Sequence, residues 1–141
     1  MERGEIVEID ASAEVIWRIL ADVERWPSWS RSFISIERLE GSGLALGSRV
    51  RIVQPKMPAL EWVVTESVDA SSFTWEASSS GLRTRASHIL TAGPEGRSIV
   101  TLNIEQSGSL SRIVGLLAGS RTSRYLAMEA AGLKAAAEAA R

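Results

Sequence analysis

The sequence predicts an α+β fold, in which a long C-terminal helix lies against an antiparallel sheet. Three observations lead there. The stretch Ser109 to Arg141 contains no proline and carries apolar residues at helical spacing. From Ser32 to Gln106 apolar and polar residues alternate in runs broken by glycine, proline and serine clusters, the pattern of a strand meander. Ahead of that meander, one alternating strand leads into two short helical stretches that stop around Pro27 and Trp29.

The first strand is Glu5 to Asp10, with Val7 and Ile9 on one face and Glu8 on the other. Ser12, three residues before Val15, reads as the N-cap of a short helix whose buried side is Val15, Ile16, Ile19 and Leu20. Asp22 opens a second turn. Trp26 and Trp29 bracket Pro27 and form a stiff apolar plug between helix and sheet, or alternatively touch a ligand.

The meander strands are Phe33 to Leu39, Ser48 to Val53, Leu60 to Val68, Phe73 to Ala77, Leu82 to Thr91 and Arg97 to Gln106. Folding the chain about Lys56 sets Val50 against Trp62, Ile52 against Leu60 and Arg51 against Glu61. The next fold, at Asp69 and Ala70, sets Val64 against Trp75. Folding between Ser79 and Ser80 sets Phe73 against Ala86 and Glu76 against Arg83. The last, at Pro94, sets Ala86 against Leu102, His88 against Val100 and Arg83 against Glu105. One face thereby collects Trp62, Val64, Phe73, Trp75, Ala86, His88, Leu90, Val100 and Leu102. The opposite face collects most of the charge, and the arginines there read as a solvated, paired surface. Glu66 shares the inward parity near a strand end.

In the last helix Leu110, Val114, Leu117, Tyr125, Met128, Leu133 and Ala136 fall on one broad side, with Arg124, Lys134, Glu138 and Arg141 opposite. Gly119 and Ser120 predict a break or kink between a short apolar segment and a longer alanine-rich one. Glu129 stands nine residues, roughly half a turn in phase, from Glu138, so it faces the sheet or the cavity.

Composition narrows the function. At 141 residues, 45% hydrophobic and 23% charged, residues 1–141 read as one globular domain. There is no cysteine and one histidine, which removes disulfides, thiolate catalysis, cysteine-ligated zinc and most histidine metal sites. No metal and no cofactor are expected. The net charge of −1, with 14 arginines and two lysines, leaves no footprint for nucleic acid. No run is apolar enough for stable membrane insertion, and the opening Met-Glu-Arg-Gly-Glu lacks the pattern of a signal peptide, so a cytoplasmic protein is expected. No triad set, phosphate loop or metal-ligand spacing is present.

The order of elements, with Ala13-Glu-Val-Ile-Trp17, Asp22-Val-Glu-Arg-Trp-Pro-Ser-Trp29, Gly132-Leu-Lys134 and Glu138, resembles the polyketide cyclase/dehydrase and lipid-transport superfamily, with its START-like helix-grip (SRPBCC) fold. The resemblance covers essentially the whole chain. It implies a curved seven-stranded antiparallel sheet gripping the last helix, two short helices after strand 1, and a cavity for an apolar or amphipathic small molecule. It also implies that Gln54 to Pro58 and Ser78 to Leu82 guard the mouth, where Leu110, Ile113, Val114, Leu116 and Leu117 enter as core closure or as a flap.

The expected ligand-binding residues are Trp62, Trp75, Phe73, His88, Met57, Leu117, Tyr125, Met128 and Glu129. The candidates for any catalysis are His88, Glu129 and Glu66. Binding or transport of a lipid- or polyketide-like, ring-containing molecule is the first functional expectation. The alternatives are a cofactor-independent polyketide cyclase, aromatase or dehydratase, and a ligand-dependent regulatory or interaction module.

Overall fold

A computed structural model describes residues 2–141. Strand β1 (Glu2–Ile9) leads into helix α1 (Ala13–Ala21) and a 3-10 segment (Val23–Ser28). Then come β2 (Ser35–Glu40), β3 (Arg49–Val53), β4 (Leu60–Val68), β5 (Ser72–Ser79), β6 (Leu82–Ala92) and β7 (Ser98–Ser107). Helix α2 (Ser111–Ala140) ends the chain. All seven strands form one antiparallel sheet in the order β1-β7-β6-β5-β4-β3-β2.

Because β1 and β2 occupy opposite edges, their connection must cross the whole sheet. Helix α1 and the 3-10 segment make that crossing. The Ser12 hydroxyl accepts the Val15 N–H at 3.3 Å, which caps α1 as its sequence predicts. Trp26, fully buried, donates its indole N–H to the Leu20 carbonyl at 3.0 Å, so its polar edge is satisfied while both faces pack. Helix α2 packs on β1, β7 and α1, and closes the concave side.

The expected inward face is the observed one. Val50, Ile52, Trp62, Val64, Phe73, Trp75, Ala86, His88, Leu90, Val100 and Leu102 are all buried. Val50 opposes Trp62, Ile52 opposes Leu60, Arg51 opposes Glu61, and Val64 opposes Trp75. The β5–β6 and β6–β7 pairings differ from expectation by two residues. Phe73 faces His88, Trp75 faces Ala86, His88 faces Leu102, and Glu105 faces Arg85 rather than Arg83. Each pairing has its own turn as the cause: Ala92 pairs with Ser98, which centres the β6–β7 turn on Glu95 rather than Pro94, and the β5–β6 turn is displaced in the same way. Ser79 pairs with Leu82, leaving Ser80 and Gly81 as the loop, with Gly81 at φ 74°. A shift of two preserves side-chain parity, so the faces stayed correct while the partners changed.

Glu66 is a correction. The β4–β5 register shifts between Val64 and Glu66, so Thr65 is an extra residue that reverses the parity of the rest of the strand. Glu66 is exposed on the convex face and pairs with Arg85 at 2.9 Å. Nearby charges pair diagonally as well, Arg49 with Glu61 at 3.5 Å and Arg83 with Glu76 at 3.8 Å. These exposed pairs each contribute about 0–1 kcal/mol.

Helix α2 is continuous across Gly119 and Ser120, against the expected break. A helical glycine is only about 1 kcal/mol worse than alanine, too little to interrupt a helix held by packing on both sides. Gly119 is buried where the Arg3 guanidinium lies across it, and Arg3 Nη1 donates to Ser123 Oγ at 2.9 Å. The unbroken phase turns Leu117 and Met128 away from the sheet. Leu117 is exposed and Met128 half-buried, because both lie roughly 100° or more from Glu129, the centre of the buried arc that runs through Tyr125, Glu129 and Leu133.

Candidate ligand cavity

Between α2 and the concave sheet lies a cavity of about 290 Å³. Its walls follow from strand parity. Trp62 on β4 and Trp75 on β5 present their rings inward, 6.1 Å apart between centroids, and Trp26 from the 3-10 segment meets Trp75 at 5.1 Å. Small Ala86 on β6, opposite Trp75, leaves room that a larger side chain would occupy.

The mouth is made by the two loops expected from the resemblance. Lys56, Met57 and Pro58 come from the β3–β4 connection, and Ser79 and Leu82 flank the β5–β6 turn. Helix α2 supplies Val114, Ala118, Arg121 and Thr122 on the other side. Hydrogen bonds tie the rim together. Tyr125 donates its hydroxyl to the Pro55 carbonyl at 2.5 Å, and Arg121 Nη1 donates to the Lys56 carbonyl at 3.1 Å. The Leu110 N–H reaches the Gly81 carbonyl at 2.8 Å, which joins the start of α2 to the second loop.

Deeper in, His88 on β6 and Glu129 on α2 meet. His88 Nε2 is 2.9 Å from Glu129 Oε2, both side chains are buried, and both line the cavity. With Glu129 ionised, that bond requires the hydrogen on Nε2. His88 Nδ1 is buried with no hydrogen-bond partner among the described residues. It is then an acceptor when the ring is neutral and a donor when the ring is protonated. Phe73 stacks on the imidazole at 4.1 Å with planes 8° apart, and Trp75 meets it edge-on at 5.9 Å, which holds the ring in one orientation.

Of the residues singled out from sequence, the cavity brings together Trp62, Trp75, His88, Met57, Tyr125 and Glu129. It does not include Phe73, which lies behind His88 as its stacking partner, nor Leu117, Met128 or Glu66. Arg121 and Thr122 escaped the sequence reading. They sit four and three residues before Tyr125, so the same helical phase that turns Tyr125 inward turns them inward too. Among the described residues no group of three or more metal-ligating side chains occurs.

A sequence model of the family described as polyketide cyclase / dehydrase and lipid transport matches residues 5–138. No curated protein matched the chain. Among solved structures, a protein from Thermus thermophilus superposes with a TM-score of 0.79 at 17% identity, covering 99% of each chain. A START superfamily protein from Mycobacterium smegmatis gives 0.75 at 18% identity, over 95% of this chain and 97% of that one. Norcoclaurine synthase from Thalictrum flavum, solved as a point mutant with a transition state analogue, gives 0.75 at 12% identity, over 97% and 93%. At such identities the likeness is one of fold.

Proposed function

Since the chain belongs to the polyketide cyclase / dehydrase and lipid transport family, we propose that it binds one small, apolar, ring-containing molecule between the sheet and α2, with a polar group of that molecule directed at His88. The observation that carries this reading is a cavity walled by Trp26, Trp62 and Trp75 that also receives one buried polar pair. Flat aromatic walls favour a flat ligand. A volume near the low end of the roughly 300–1,000 Å³ typical of ligand sites suits a compact molecule better than a two-chain lipid.

The test is titration with a neutral naphthalene-based fluorophore while tryptophan emission is followed. A saturable signal is expected, reduced in Trp62→Phe and Trp75→Phe and weakened by Ala86→Leu, which narrows the cavity. A native mass spectrum of freshly purified protein should show a retained apolar passenger. Absence of both a passenger and saturable binding by the wild type would overturn the reading.

A second reading, proton transfer within a cyclase or dehydratase, is favoured by one feature. An imidazole held by a carboxylate on one nitrogen, with the other nitrogen unpartnered, is the arrangement of an oriented general base or acid. Loss of turnover of a polyketide-like substrate in His88→Ala and Glu129→Gln, with fluorophore binding kept, would move the assignment from carrier to enzyme.

A further inference from the structure

The first two turns of α2 present apolar side chains to solvent directly beside the cavity mouth. Leu116 is 87% exposed, Leu117 80% and Ile113 54%, and Leu110 just ahead of them is 41% exposed. At roughly 100° per residue these four share one strip about a third of the circumference wide, opposite the strip that carries Val114, Ala118 and Thr122 toward the cavity. Arginine borders both margins of that outward strip. Arg112 falls on one side, Arg121 at the cavity rim on the other, and Arg124 continues the strip two turns beyond Leu117. Between Gln106 and Met128 there is no aspartate or glutamate. Lys56, exposed on the neighbouring loop, adds to the same end. The whole chain carries a net charge of −1, so this positive end is a local asymmetry.

We propose that this strip docks the protein on an anionic lipid surface, with Leu110, Ile113, Leu116 and Leu117 entering the headgroup boundary and the exposed Arg112 and Arg124 meeting lipid phosphates. An apolar ridge edged by guanidinium groups is the arrangement of a helix lying in a membrane interface, where long cationic side chains keep their charge in the polar layer while their stems lie along the apolar zone. Among the described residues no helix is long and apolar enough to cross a membrane, which fits surface attachment. A second copy of the chain fits the same face poorly, because a twofold contact would bring two acid-free arginine clusters together. Docking here sets the cavity mouth against the bilayer, so an apolar ligand could pass between lipid and cavity without crossing water. That purpose rests on the ligand-binding reading, whereas the docking itself is measured without any ligand.

The experiment is co-sedimentation of the intact protein with phosphatidylcholine vesicles and with vesicles in which about a third of the lipid is phosphatidylglycerol. Partition onto the anionic vesicles should exceed that onto neutral ones by about tenfold or more and fall as salt is raised. Leu116→Ser/Leu117→Ser should lower it at least about tenfold, since two exposed leucines supply much of the apolar contact. Arg112→Gln should weaken it less and flatten its salt dependence. Both substitutions lie on exposed positions, and neither lines the cavity, so fluorophore binding by each variant should equal the wild type. Equal partition of wild type and the double leucine variant, or no partition onto anionic vesicles, overturns the proposal. So does a wild-type dimer at the same concentration that the leucine variant loses, which would assign the strip to a second copy. Failure of vesicle binding with fluorophore binding retained would leave the cavity reading standing.

Discussion

Gly132 of α2 passes so close to the backbone carbonyl of Trp29 that a β-carbon on it would overlap the oxygen. That contact seats the second half of the helix against the segment that crosses the sheet. It also explains why a helix former is missing from an otherwise alanine-rich stretch.

Gly132→Ala and Gly119→Ala should therefore have opposite consequences. Alanine gains about 1 kcal/mol of helix propensity at either site. At Gly132 the new methyl meets fixed backbone, and overpacking of about 1–3 kcal/mol outweighs the gain. At Gly119 it meets the far end of the flexible Arg3 side chain, which can move aside. Urea unfolding should show Gly132→Ala destabilised by about 1–2 kcal/mol and Gly119→Ala unchanged or slightly stabilised.

The His88–Glu129 pair should behave as a unit in stability. His88→Phe leaves the Glu129 carboxylate buried without its partner, and should destabilise by about 2–4 kcal/mol. Adding Glu129→Leu removes the stranded charge, so the double variant should be more stable than the sum of the single changes by about 1–3 kcal/mol. Additive effects in a double-mutant cycle would show that the 2.9 Å contact carries no coupling.

At the other end of α2, Glu138 accepts hydrogen bonds from Lys134 Nζ at 2.7 Å and from the Asp10 N–H at 2.9 Å. The Lys134 bond first, and the Asp10 N–H second, hold its carboxyl below the ordinary value of 4.5. A carboxyl depressed on folding stabilises the native state fully above its unfolded value, and that contribution is lost as pH falls through the lower folded value. Glu138→Gln should therefore reduce stability near neutral pH and flatten the acid limb below about pH 4.5. Identical pH dependence of the two proteins would contradict the assignment.

Much of the architecture is legible in the sequence because its signals are local. Alternation along each strand decides which side chains face inward, and helical phase from Tyr125 decides which face of α2 is buried. Neither requires knowing a partner. Even the misjudged turn at Ser80 and Gly81 left Trp62, Trp75 and His88 on the concave face, since a slip of two keeps parity.

Tertiary structure decided what depends on an extra residue or a distant contact. One added residue at Thr65 sent Glu66 to the convex face, where it found Arg85. Packing against Arg3 and Trp29 kept α2 straight through Gly119 and seated it at Gly132, and that continuity exposed Leu117 while turning Arg121 and Thr122 toward the cavity. The meeting of His88 with Glu129, 41 residues apart in the chain, exists only because the sheet closes on the helix at one depth. Periodicity carries the direction in which a side chain points, whereas which group it meets depends on how far each element is displaced along its neighbour, and that displacement is set by bulges, turns and packing across the whole fold.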